Sequence, residues 1–165
     1  MQRVNHPQVK WPNVAIFLTG LLIVIADQLS KIWIRNNIPH GQSIFDIGFF
    51  EITHVRNTGA AFGLFQNHSL ALIIIGIIGT IILLICTRFT GKDVPVLGTL
   101  PGQIALGLVL GGTVGNLIDR LHLGYVTDFI NFGFWPAFNV ADSAVTIGVI
   151  IFAYSLLRLG LSSQS

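Results

Sequence analysis

Hydrophobic positions in this chain fall into long unbroken runs instead of the short alternations of a water-facing sheet. Four runs approach the roughly 20 residues a helix needs to cross a membrane. They extend over about Val14 to Ile34, Leu70 to Phe89, Gln103 to Leu121 and Val140 to Leu159. Pro101 suits the start of the third helix, where a missing N–H costs nothing. Trp33, with Trp11 ahead of the first run, fits an interfacial bracket. Between the first two runs, Ser43 to Val55 mixes Phe, Ile and Thr with Gly48, which predicts short strands. Tyr125 to Phe138 is rich in aromatics and glycine, and is expected to lie along the membrane interface. The expected architecture is a membrane all-α protein over residues 1–165 as a single domain. Its four transmembrane helices carry a small extracytoplasmic β-rich loop and an interfacial segment.

Composition sharpens this reading. Of 165 residues, 52% are hydrophobic and 10% charged, where a soluble domain carries about a quarter charged. So few charges cannot keep a water-facing surface solvated. The net charge of +2 is small, and no basic run interleaved with aromatics points to nucleic acid. Cys86 is the only cysteine, which excludes an internal disulfide and a CxxC site. The five histidines, His6, His40, His54, His68 and His122, form no HExxH pair, so neither a metal nor a cofactor is expected. Arg3 and Lys10 precede the first run as they would in a signal peptide. That run ends in Asp27-Gln28-Leu29-Ser30-Lys31 instead of small residues, so it reads as a retained helix. Arg3, Lys10, Arg88, Lys92 and Arg158, against Arg56 alone in the opposite long loop, favour cytoplasmic termini; Lys31, Arg35 and Arg120 dilute the bias. Gly107, Gly111 and Gly115, four apart in the third run, fit close helix packing.

The acids carry the chemistry. Asp27, Asp119, Asp128 and Asp142 fall in or beside the spans, where a charge costs about 2.5–3.5 kcal/mol at the helix centre. Asp27 and Lys31 are four apart and can pair along one helix face. Asp119 and Arg120 are adjacent and point differently, so each needs a partner elsewhere; structural pairing and chemistry are equally open for them. Asn116 lies one turn before Arg120 and supplies neutral hydrogen bonds. Asn139 can cap the fourth helix, with Asp142 favoured in its first turn by the dipole. Asp128 sits among aromatics without a nearby base, which should raise its pKa. Asp128 and Asp142 together form a candidate dyad, in which one carboxylate takes a proton from water while its protonated partner polarises an amide carbonyl. Asp119 is the rival for the first position, and spacing does not choose between them. Ser30 and Ser143 lack a G-x-S-x-G elbow and a histidine within a span.

Five blocks, in order along the chain, resemble the bacterial lipoprotein signal peptidase family (signal peptidase II). They are Asp27-Gln28-Leu29-Ser30-Lys31, Asn57-Thr58-Gly59-Ala60-Ala61-Phe62-Gly63, Gly115-Asn116-Leu117-Ile118-Asp119-Arg120, Val126-Thr127-Asp128-Phe129 and Phe138-Asn139-Val140-Ala141-Asp142-Ser143. The resemblance implies an aspartic endopeptidase of the bacterial inner membrane. Such an enzyme removes the signal peptide from diacylglyceryl-modified prolipoproteins, before the lipidated cysteine and near the periplasmic face. It implies catalysis by Asp128 and Asp142, with Asn57, Asn116, Arg120 and Asn139 lining the substrate site. Asp119, Asp27 and Lys31 are implied as supporting residues. It also implies inhibition by globomycin, contact with membrane lipids and no nucleic acid; a monomer is expected. Thr127 stands where an apolar residue is common, and the segment between Asp128 and Asp142 is short for the family. The alternatives are an ion- or proton-coupled transporter using buried aspartates, and a non-catalytic assembly factor. The first predicts a flux and no cleavage product, the second tolerance of Asn at 128 and 142.

Overall fold

In the computed structural model each of the four apolar runs is a helix, because a backbone in lipid must satisfy its own hydrogen bonds. The structure describes residues 13–59, 66, 68–89 and 94–162. In order, it contains helix α1 (Val14–Asn37), strands β1 (Ser43–Asp46) and β2 (Glu51–Asn57), and helix α2 (Ser69–Cys86). After a 3-10 turn at Pro95–Gly98 come α3 (Leu100–Leu123), β3 (Val126–Asn131) and α4 (Val140–Ser162). All four α-helices are long and apolar enough to cross a membrane. Trp11, Arg3, Lys10, Lys92 and the block from Ala60 to Gly63 lie outside the described residues.

The helix ends moved by a few residues from their expected places, for local reasons. α3 starts earlier because the Thr99 side chain accepts from Gly102 N at 3.2 Å, with Pro101 in the first turn. It ends later, at the left-handed Gly124, whose N–H bonds Arg120 O. That extension takes His122 into the last turn, although no histidine was expected within a span; its side chain is exposed. α2 stops at Cys86, short of Phe89.

α3 is the hub, packed against α1, α2 and α4. The glycine stripe explains how. A Cβ on Gly107 would stand 2.6 Å from Ile16 O, and one on Gly111 would stand 2.6 Å from Gly20 O. The backbones of α1 and α3 therefore touch at these glycines, as the spacing predicts. At Gly115 the close neighbour is no backbone but the Asp27 carboxylate, 2.6 Å from the same virtual atom. This third glycine makes room for a polar site.

The strands form one antiparallel sheet in the order β1-β2-β3. Ser43 to Val55 yields β1 and β2 as expected. The segment Tyr125–Phe138 supplies β3, of which Val126 to Phe129 is buried. Its apolar residues found a protein surface: Phe129 packs with Ile34 and Ile38 from the end of α1, flanked by Ile52, Ile130 and Val140. Only its later part is open, with Phe134 83% and Trp135 52% exposed. β2 and β3 pair Ile52 with Ile130 and Val55 with Asp128. Two residues of β2, Thr53 and His54, thus oppose Phe129 alone. Such a bulge bends the strand, and beyond it β2 delivers Asn57 to Asp128.

Candidate active site

The site grows from one face of α1. Asp27, Lys31 and Arg35 are four apart and share that face. Asp27 and Lys31 are both fully buried and pair at 2.8 Å. Lys31 also reaches Asp119 on α3 at 3.5 Å, and Arg35 reaches the same carboxylate at 3.4 Å. Gln28 donates to Asp119 Oδ1 at 3.4 Å and to Gly115 O at 3.1 Å. The remaining acceptor capacity of these acids goes to backbone. Asp27 Oδ1 accepts from Ala141 N at 3.0 Å, and Asp119 Oδ2 accepts from Thr127 N at 2.9 Å. So Asp27 anchors the start of α4 and Asp119 the start of β3.

Asn116 connects this ion cluster to the second pair of acids. Its Oδ1 accepts from Lys31 Nζ at 2.9 Å, while its Nδ2 donates to Asp142 Oδ1 at 2.7 Å. Asn139 does the same for Asp128: its Nδ2 donates to Asp128 Oδ1 at 2.7 Å and to Asn116 Oδ1 at 3.1 Å. Asn139 also caps α4, accepting from Asp142 N at 2.9 Å, while Asp142 Oδ2 accepts from Asn139 N at 3.3 Å. This reciprocal cap fixes Asp142 in the first turn, so the capping expectation and the dyad geometry are one arrangement. Asn57 completes the set, donating to Asp128 Oδ2 at 2.9 Å.

All nine residues singled out from the sequence thus belong to one polar assembly at the meeting of α1, α3, α4 and the sheet. Asp27, Lys31 and Asp119 form its ionic half, and Asp128 and Asp142 are held by the amides of Asn57, Asn116 and Asn139. Arg120 donates to Gly59 O at 3.0 Å, its buried Nε meets no partner among the described residues, and it lies within electrostatic reach of Asp142, Asp128 and Asp119. Among the described residues, no Lys or Arg is hydrogen-bonded to or ion-paired with Asp128 or Asp142. Burial first, and then the neighbouring Asp142 charge, push the Asp128 carboxyl up from 3.8 to about 7. The amide donors Asn57 and Asn139, together with the Lys31 charge, pull against that rise. Asp128 is 2% exposed, while Asp142 is half-buried, so the pair opens on its Asp142 side.

Gln28 and Arg35 were not expected in the site. Arg35 stands one four-residue step beyond Lys31, a spacing visible in the sequence. Gln28 points to Asp119 from a neighbouring helix position, a contact that no spacing reveals. Thr127, noted only for its residue type, is fully buried beside Asp128.

The sequence and the fold have known counterparts. A model of the family described as signal peptidase (SPase) II matches residues 19–158. A lipoprotein signal peptidase of Dehalococcoides mccartyi is 53% identical over 138 residues, covering 84% of this chain and 86% of that protein. One from Moorella thermoacetica is 45% identical over 141 residues, covering 85% and 91%. Among solved structures, a bacterial membrane enzyme determined by the in meso method at 2.3 Å resolution superposes with a TM-score of 0.80. It is 35% identical over 93% of both chains.

Proposed function

The chain belongs to the signal peptidase II family, and from that premise we propose that Asp128 and Asp142 are the pair that cleaves the signal peptide from prolipoproteins. The protein is an aspartic-type endopeptidase of the membrane. The observation that carries the residue assignment is the contrast in partners. Asp119 is held by two cations and a backbone N–H, which commits its lone pairs to structure. Among the described residues, the hydrogen-bond donors to Asp128 and Asp142 are neutral, so a proton is readily kept on the pair. That supports Asp128 over its rival Asp119.

With one proton on the pair, each step is accounted for. The protonated carboxyl, Asp128 by its raised pKa, donates a hydrogen bond to the scissile carbonyl oxygen. The ionised Asp142 takes a proton from water as the water oxygen bonds to the carbonyl carbon. The tetrahedral intermediate then breaks its C–N bond while a carboxyl returns a proton to the leaving nitrogen. The products are the signal peptide with a new carboxylate and the lipoprotein with the free amine of its lipidated cysteine. Arg120, Asn57, Asn116 and Asn139 orient the pair and the peptide, while Asp27, Lys31 and Asp119 hold the helices that carry them. The apparent pKa values belong to the pair as a unit.

The diacylglyceryl substrate enters sideways from lipid, so a site at the end of the helices suits it. The sheet and the exposed Phe134–Trp135 segment would clamp peptide and acyl chains. The same reading puts the chain in the bacterial inner membrane, with cytoplasmic termini and the site toward the periplasmic face. Globomycin would occupy the site, and a monomer suffices. Family membership displaces the transporter and assembly-factor alternatives. The test is cleavage of a diacylglyceryl-modified prolipoprotein by purified protein in detergent, for wild type, Asp128→Asn, Asp142→Asn and Asp119→Asn. Loss of the signal-peptide product in the first two variants, with folding intact, is the expected result. Cleavage surviving Asp128→Asn but not Asp119→Asn would move the first catalytic role to Asp119.

A further inference from the structure

Asp128 lies on β3, which pairs Val126, Thr127 and Asp128 with Asn57, Arg56 and Val55 of β2, and the regular ladder ends at Asp128. β3 is six residues long and pairs with a full strand on one side only. The β2 bulge opposite Phe129 removes regular pairing next to Asp128. On the other side it makes a single isolated bridge, Ile130 with Phe138. A slip of one residue would exchange the two faces of the strand, turning Asp128 away from Asn57 and Asn139. Side-chain bonds to the residue before Asp128 reinforce the register where the regular ladder ends.

Thr127 is fully buried, and each of its polar atoms is engaged. Its N–H donates to Asp119 Oδ2 at 2.9 Å, its carbonyl accepts from Asn139 Nδ2 at 3.4 Å, and its hydroxyl oxygen accepts from Arg35 Nη1 at 3.0 Å. The same Arg35 nitrogen reaches Asp119 Oδ1 at 3.4 Å. Arg35, Asp119 and Thr127 thus close a ring that ties the end of α1 to α3 and to the residue before Asp128. The ring needs the threonine hydroxyl, because a hydrocarbon at 127 would leave only the backbone bonds and deprive Arg35 of a partner.

We propose that Arg35 is a positioning residue for the cleavage reaction, holding Asp128 in register through the Thr127 hydroxyl and Asp119. The inference rests on the assignment of Asp128 as catalytic. Arg35 is no part of the reacting set; it acts through Thr127, and its side chain is only 21% exposed.

The experiment measures kcat and KM for a diacylglyceryl-modified prolipoprotein, per folded molecule, alongside the melting temperature. The variants are Arg35→Met, Arg35→Lys, Thr127→Val, Thr127→Ser and the double Arg35→Met/Thr127→Val, with Asp128→Asn as reference. Arg35→Met and Thr127→Val should each lower kcat about tenfold, the worth of one charge-assisted hydrogen bond in the transition state. KM should stay within about twofold, since binding contacts are untouched. The double variant should be no worse than the poorer single, because both remove one interaction. Thr127→Ser should recover nearly all of kcat, and Arg35→Lys part of it. Thr127→Val is close to isosteric and keeps the backbone bonds, so it reads the hydroxyl even if Arg35→Met does not fold. Wild-type kcat in folded Thr127→Val would overturn the proposal. So would a multiplicative double variant, or a raised KM at unchanged kcat in Arg35→Met, which would make Arg35 a substrate contact. Full cleavage by Asp128→Asn would instead bring down the catalytic assignment itself, and the positioning role with it.

Discussion

Asp27 and Asp119 are ion-paired with cations, whereas Asp128 and Asp142, a hydrogen bond or two away, are hydrogen-bonded by the amides of Asn57, Asn116 and Asn139. Lys31 stands 2.8 Å from Asp27 and 3.5 Å from Asp119, with Arg35 3.4 Å from Asp119. Across Asn116 and Asn139 the donors become neutral, and the carboxyl of Asp128 climbs to about 7. In the first pair charge faces charge, and these acids hold α1, α3, α4 and β3 together. In the second, burial and the neighbouring Asp142 charge raise the Asp128 carboxyl. The same side chain thus meets cations in one half of the site and neutral donors in the other.

The comparison breaks most visibly if the two halves are disabled in turn. Asp128→Asn and Asp142→Asn should each lower cleavage by about a thousandfold or more, in line with the loss of a general acid or base. Their melting in detergent should be no lower than wild type. Lys31→Met should do the reverse in kind. It leaves Asp27 and Asp119 without their shared cation and should cost about 3–5 kcal/mol of stability, as when one partner of a buried pair is removed. The molecules that remain folded should still cleave. Thermal unfolding and single-turnover cleavage on the same preparations check both halves. If Asp128→Asn unfolds and Lys31→Met does not, the division of labour is the wrong way round.

A smaller effect sharpens the boundary between the halves. Asn139 serves both, capping α4 through Asp142 N and donating to Asp128. Asn139→Ala should cost about 1 kcal/mol from the lost cap, and should lower kcat by more than that loss of stability explains. Asn139→Ser keeps a capping oxygen but loses the amide donor to Asp128. It should therefore recover stability without recovering kcat, as circular-dichroism melts and cleavage rates of the two variants would show. Recovery of both by serine would make Asn139 a cap and nothing more.

The legible part of this protein was what lipid imposes. Four apolar runs gave four helices, because length and hydropathy alone dictate the spans, and the glycine stripe on α3 gave its close approach to α1. The Asp27–Lys31 tie was readable from a four-residue step, as was the Asn139 cap from its distance to Asp142. Choosing Asp128 over Asp119 needed the resemblance, because it depends on which cations arrive from α1, a fact of tertiary packing. The same limit hid β3. Its aromatics ask for an apolar surface, and the residues alone do not say whether lipid or the end of α1 provides it. Arg35 and Thr127 were passed over because their partners are 84 and 92 residues away from Arg35 along the chain.

The two halves also separate by pH alone. A carboxyl whose pKa is higher folded than unfolded binds more protons in the folded state over the interval between the two values. Stability therefore falls as pH rises through that interval and levels off above it. For Asp128 the interval runs from 3.8 to about 7. Asp128→Asn removes that group, so its melting temperature should exceed that of wild type at pH 8, and the advantage should shrink as pH falls toward 4. Asp119→Asn, which deletes a partner of two cations, should melt below wild type at pH 8. A paired series of melts in one detergent, read as the difference from wild type at each pH, isolates the two slopes from all the other titrating groups. If the Asp128→Asn difference is flat across the range, Asp128 is not the proton-holding member of the pair. The contrast between amide-held and cation-held acids would then have to be redrawn with Asp142 as the site of the proton.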